Sequence, residues 1–103
     1  MSPFKVYIQP DAGKEIDRLP GHIRQRIRRA VVSLREDPEP ESAVQLSYDL
    51  GPGREIWRLR LDTWRVVYVV DREWSGVYVL AVRKRPPYQY EDLSSLLADL
   101  EES

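Results

Sequence analysis

Residues 57–68 read WRLRLDTWRVVY, and the fold turns on how this stretch pairs with itself. Two alternating runs flank Asp62-Thr63. In a strand, successive side chains point to opposite faces. Trp57, Leu59 and Leu61 therefore point one way and Arg58 and Arg60 the other. If Asp62 and Thr63 are the two loop residues of a hairpin, Leu61 faces Trp64, Arg60 faces Arg65 and Arg58 faces Val67. All three arginines then share one face, while Trp57, Leu59, Leu61, Trp64, Val66 and Tyr68 share the other. Two features complicate the turn. Tight two-residue loops favour Asn-Gly or Asp-Gly, and β-branched Thr63 resists positive φ. A slip of one residue would move Arg65 to the opposite face.

Working outward, Phe4–Gln9 alternates and reads as a first strand. Asp11 is placed as the N-cap of a short helix, DAGKEIDRL, closed by Pro20-Gly21. In HIRQRIRRAVVSLREDP, residues Ile23, Ile27, Ala30, Val31 and Leu34 fall on one helical face and the arginines largely on the other. Asp37-Pro38 ends that helix. AVQLSYD reads as a second strand, LGPG as a turn, and Glu55–Leu61 and Trp64–Asp71 as the third and fourth strands. Val77–Lys84 is the fifth, in which Val77 and Val79 share a parity, as do Arg83 and Arg85. Pro86-Pro87 forbids further ladder bonds. In the tail, Leu93, Leu96, Leu97 and Leu100 permit a short helix. The order βααββββ(α) describes an α+β domain, an antiparallel sheet with an N-terminal helical hairpin on one face. The 103 residues suit a single domain, 1–103, with an acidic tail or helix at 91–103.

The absence of cysteine removes disulfides, thiolate nucleophiles and cysteine metal sites from consideration, and the single histidine, His22, cannot form a two-histidine acid–base pair. His22 follows Pro20-Gly21 and is read as an exposed residue. The first residues lack a secretory pattern and no apolar run is long enough for a membrane helix, so an intracellular, cytoplasmic protein is expected. Net charge is −1, which by itself argues against a nucleic-acid binder. Its distribution argues otherwise: residues 54–85 carry eight basic and four acidic side chains, whereas residues 86–103 carry five acidic and none basic. A solvated strand face ordinarily mixes charges. Here arginine stacks on arginine, and guanidinium suits phosphate because it binds bidentately and keeps its charge.

Taken in order, these segments resemble the RelE/ParE toxins of bacterial type II toxin–antitoxin modules. AGKEIDRLPGHIRQRIRRAVVSLREDPEP is similar to the family's helical hairpin and QLSYDL to its following strand. WRLRLDTWRVVYVV resembles its central hairpin, with Asp62 where the family has glycine. VYVLAVRKRPPYQY resembles its closing strand and the tyrosine beyond, a position that spacing gives to Tyr90, with Tyr88 the alternative. The resemblance implies a toxin with a cognate antitoxin as partner, and leaves the oligomeric state of the free chain open, a monomer included. Members of the RelE class cut mRNA in the ribosome, while those of the ParE class inhibit DNA gyrase. The arginine-plus-tyrosine set is similar to the RelE class and implies a ribosome-dependent endoribonuclease acting on mRNA without metal or cofactor. In it Arg65 and Arg85 would neutralise the phosphorane, Tyr90 would be the general base or a stacking platform, and Arg58, Arg60, Arg83 and Lys84 would hold RNA. A gyrase inhibitor is the alternative within the family. A non-catalytic module docking an acidic partner through its basic face is the alternative outside it.

Overall fold

The computed structural model describes residues 3–84 and Leu97. Strand β1 (Lys5–Ile8) is followed by helices α1 (Pro10–Asp17) and α2 (Gly21–Ser33), and then by strands β2 (Ala43–Gln45), β3 (Arg54–Leu61), β4 (Trp64–Asp71) and β5 (Gly76–Lys84). The five strands form one sheet in the order β1-β5-β4-β3-β2. This is the α+β architecture read from the sequence. The sheet is antiparallel from β5 to β2, and β1 joins the β5 edge in parallel. The parallel edge follows from the connection, since the helical hairpin carries the chain from β1 at one edge to β2 at the other.

Local chemistry shifts two boundaries. Pro10 occupies the first turn of α1 and Gln9 is its N-cap, because proline has no N–H to satisfy and its fixed φ suits the helix start. Asp11 therefore lies within the first turn, where its charge opposes the helix dipole, instead of capping it. The second strand is shorter than AVQLSYD: pairing stops at Gln45, although Leu46 still donates its N–H to the Ile56 carbonyl at 2.8 Å.

One face of the sheet packs under the helices. Ala12, Ile16 and Leu19 meet Ile27, Val31 and Leu34 and the strand residues Leu59, Val66, Tyr68, Val70, Val77, Val79 and Val82, with Trp57, Leu61 and Trp64 at the margin. The face assigned to Trp57 through Tyr68 by alternation is the core face. Trp57 is half-buried, and its indole N–H donates to Glu55 Oε1 at 3.0 Å. The opposite face is more apolar than expected. Ile56, Val67, Val69, Leu80 and Ala81 form a second buried cluster, flanked by Leu46, Leu50, Tyr78 and Leu97. Leu97 is the one described residue of the tail, and it packs as expected of the tail's apolar side; Leu93, Leu96 and Leu100 lie outside the described residues. No helix among the described residues is long and apolar enough to cross a membrane.

Tyr68 fastens the two layers. It is fully buried, and its hydroxyl donates to the Pro38 carbonyl at 2.7 Å, tying the centre of the sheet to the loop leaving α2. Burial, reinforced by the carboxylates of Asp37 and Glu39, pushes its phenol pKa well above the ordinary value of 10.0. The folded state thus retains this proton when the unfolded chain loses it. Stability contributed this way is complete below about pH 10 and is lost as pH rises above it. Replacing Tyr68 by Phe strands the Pro38 carbonyl and is expected to cost about 1–3 kcal/mol at neutral pH. The variant should also lose less stability than the wild type from about pH 10 upward. Urea unfolding across that range checks both, and parallel pH curves for the two proteins would contradict the assignment.

Candidate functional site: an arginine row across three strands

The turn between β3 and β4 is resolved by Asp62. Its φ is +55°, and Thr63 is not among the positive-φ residues. The strained position thus falls on an aspartate, which tolerates the left-handed region, and not on the β-branched residue, which does not. Arg26 of α2 donates to Asp62 Oδ2 and braces the hairpin tip. The resulting register pairs Leu61 with Trp64, Arg60 with Arg65 and Arg58 with Val67, the pairing expected of a two-residue loop.

Arg83 reaches the same face by a device that alternation does not contain. Val67 pairs with Ala81 and Tyr68 with Val79, with a bulge between them. Leu80 is consequently unopposed, and Leu80 and Ala81 both join the second cluster, while Val79 and Val82 face the helices. Without that extra residue, strict alternation from Val77 and Val79 would carry Arg83 to the helix side. With it, Arg83 pairs with Arg65. Arg60, Arg65 and Arg83 therefore form one row across β3, β4 and β5. Adjacent strands lie about 4.8 Å apart, so the three charges repel one another unless an anion or a local partner intervenes.

Each member meets that repulsion differently. Arg60 is exposed; Arg58, outside the row on the same face, is half-buried. Arg65 is only 3% exposed, and one guanidinium nitrogen donates at 3.0 Å to the carbonyls of both Asp62 and Trp64. Its Nε is buried with no hydrogen-bond partner among the described residues. Arg83 Nε donates to Glu15 Oε2 at 3.0 Å, and the other carboxylate oxygen of Glu15 accepts the Val82 N–H at 3.1 Å. β1 ends opposite Val79, so β5 beyond that point has an open edge, and Glu15 covers it. Sequence reasoning missed Glu15. Its only signal was a charged residue next to the apolar stripe Ala12, Ile16 and Leu19.

Lys84 is exposed at the end of β5, across from Trp64. Arg85, Tyr88 and Tyr90 lie outside the described residues. His22 is exposed in the first turn of α2. Among the described residues, no three His, Cys, Asp or Glu side chains gather as a metal site. The row can hold an anion. Glu15, ion-paired with Arg83 Nε, is positioned to orient Arg83.

A family model described as the ParE toxin of the type II toxin–antitoxin system, parDE, matches residues 6–86. Among solved structures, the chain is similar to the archaeal RelE–RelB complex from Pyrococcus horikoshii, with TM-score 0.74 and 21% identity over 84% of this chain and 99% of that one. It is similar to the RelBE2 toxin–antitoxin complex from Mycobacterium tuberculosis, with TM-score 0.67 and 25% identity over 81% and 99%. The isolated RelE toxin of E. coli matches with TM-score 0.61 and 25% identity over 94% and 98%. No curated protein matches.

Replacing Glu15 by Ala removes the acceptor for the Val82 amide and for Arg83 together. Because both contacts are partly exposed, the expected loss is about 1–2 kcal/mol in urea unfolding. Glu15→Gln keeps an acceptor for the amide and should cost less. Amide hydrogen exchange localises the effect. Val82 should exchange faster in Glu15→Ala, and unchanged protection at Val82 would show that Glu15 does not cover the edge.

Proposed function

Because the chain belongs to the ParE toxin family of type II toxin–antitoxin systems, we propose that it is a toxin of the RNA-cleaving kind, a ribosome-dependent mRNA endonuclease held in check by a cognate antitoxin. The observation that carries this reading is the arginine row. Three guanidiniums from three strands are brought to one face, and Glu15 is ion-paired with Arg83 at its edge. Two of the similar structures are toxin–antitoxin complexes, which supports the antitoxin as partner.

RNA brings its own nucleophile. The 2′-hydroxyl attacks the adjoining phosphorus as the bond from phosphorus to the 5′-oxygen breaks, and charge accumulates on the non-bridging oxygens. A protein accelerates this by aligning the hydroxyl, accepting its proton and stabilising that charge. In this reading Arg60, which is exposed, and Arg83, which is half-buried, contact the phosphate. Arg65 contributes mainly through its field, since its side chain is buried against two carbonyls, and the low dielectric around it lengthens the reach of its charge. Arg58 and Lys84 extend the positive surface along the RNA backbone. Arg85 and Tyr90, with Tyr88 as the alternative tyrosine, are assigned the second phosphorane contact and the general base by resemblance to the RelE class. Adjacent arginines favour a phenolate, which makes tyrosine a usable base.

Gyrase inhibition is the second reading, favoured by the family model's own description as a ParE toxin. Induced expression in bacteria followed by mapping of mRNA 5′ ends separates the two. Codon-phased cuts are expected, and DNA-damage signalling without cuts would overturn the nuclease reading. Arg83→Ala should reduce cutting on the order of 10²-fold, the usual effect of losing one charge-stabilising donor, while leaving a folded protein. Arg60→Ala should act in the same direction. Full toxicity of both variants at equal expression would remove the row from the mechanism.

A further inference from the structure

The end of the sheet remote from the arginine row carries a second arrangement on the same face. Tyr7 of β1 and Tyr78 of β5 are register partners. Their rings stack with centroids 5.1 Å apart and planes 14° from parallel. Gly76 makes room for this: a β-carbon there would lie 2.9 Å from the Tyr78 ring. Trp74 stands beside them, 74% exposed. Its backbone N–H is held at 3.1 Å by Oδ1 of Asp71, a buried carboxylate paired with Arg54 at 3.2 Å. The indole is thus presented to solvent from a braced turn. With Pro3, Lys5 and Ser75, the three rings line a cleft of about 340 Å³, and no carboxylate lines it.

We propose that this cleft is a stacking site for a base of single-stranded RNA, with Lys5 receiving the adjoining phosphate. Every nucleobase has a π-face, so exposed aromatic rings hold bases without regard to sequence. The rings supply that surface, and a cation at the rim of a cleft that no carboxylate lines, with the neighbouring Asp71 buried and paired with Arg54, suits a polyanion. Tyr78 lies across from Val69, four residues along β4 from Arg65, about 13 Å at the rise of a strand. RNA bound at the row therefore has this cleft within reach. The second apolar cluster, against which Leu97 packs, lies between the two, which makes them separate contacts and not one groove. The inference deepens the nuclease reading and rests on it for the source of the RNA, but binding is measurable without cleavage.

Fluorescence anisotropy with a short labelled RNA, methylated at its 2′-oxygens so that it cannot be cut, tests the proposal on the full-length protein. Wild-type binding should quench tryptophan emission, since Trp57 and Trp64 are half-buried toward the helices and Trp74 is exposed. Trp74→Ala should weaken binding roughly tenfold with an unchanged melting temperature. Gly76→Ala, which displaces the Tyr78 ring, should weaken it too. Lys5→Ala should reduce the slope of log Kd against log salt by about 0.7. Absence of RNA binding by the wild type, wild-type affinity in Trp74→Ala, or a Trp74 effect confined to antitoxin binding would each overturn the proposal. Codon-phased cutting in cells with RNA affinity indifferent to Trp74 would sink the cleft alone. Trp74-dependent RNA affinity without such cuts would sink the nuclease reading alone.

Discussion

Leu80 stands opposite no residue of β4, and the place of Arg83 on the basic face depends on that extra residue. A bulge lets two neighbouring side chains serve the same side of a strand. Here Leu80 and Ala81 both enter the second apolar cluster, and Arg83 arrives beside Arg65 instead of under the helices. Three further contacts support the arrangement. Asp62 takes the left-handed position that closes the β3–β4 hairpin. Arg65 returns two bonds to the carbonyls at that turn. Glu15 reaches from α1 to cover the edge that β1 leaves open.

The arrangement concentrates like charge where folding alone would disperse it. A buried guanidinium such as Arg65 is costly unless its hydrogen bonds are met. Here two backbone carbonyls meet those of one terminal nitrogen, Nε is left without a partner among the described residues, and carbonyls do not neutralise the net charge. Glu15 is different, because it carries charge and offsets part of Arg83. The result is a positive surface held by the same contacts that keep the strands in register. The helices on the opposite face and the loop leaving α2, which Tyr68 bonds at Pro38, contribute stability, and Glu15 and the brace from Arg26 to Asp62 reach the row and its hairpin from the helices.

Much of this was legible in the sequence because period-two alternation in WRLRLDTWRVVY, joined to a two-residue loop at Asp62-Thr63, gives one set of faces. The hairpin, the helix-facing core and the shared face of Arg58, Arg60 and Arg65 all follow from it. The bulge was not legible: VYVLAV is apolar throughout, and a strand buried on both faces shows no change of pattern where a residue is inserted. The same two-sided burial explains why the second cluster was read as a polar face, although VVYVV carried a hint of it. Glu15 was hidden because its partners lie 67 and 68 residues away. The parallel placement of β1 depends on how the helical hairpin crosses the sheet, which no local pattern specifies.

The central claim is that the row spanning β3, β4 and β5 is the anion-binding surface, distinct from the other arginine-rich part of the chain, residues 18–35. Selective ¹⁵N labelling of arginine allows the Nε–H resonances to be followed while an uncleavable RNA dinucleotide is titrated at constant ionic strength. The account predicts that the Arg60 and Arg83 resonances shift together with one apparent Kd, while Arg18, Arg29 and Arg35 on the helical side respond no more than they do to salt. Saturable shifts at the helical arginines, with Arg60 and Arg83 unmoved, would contradict it.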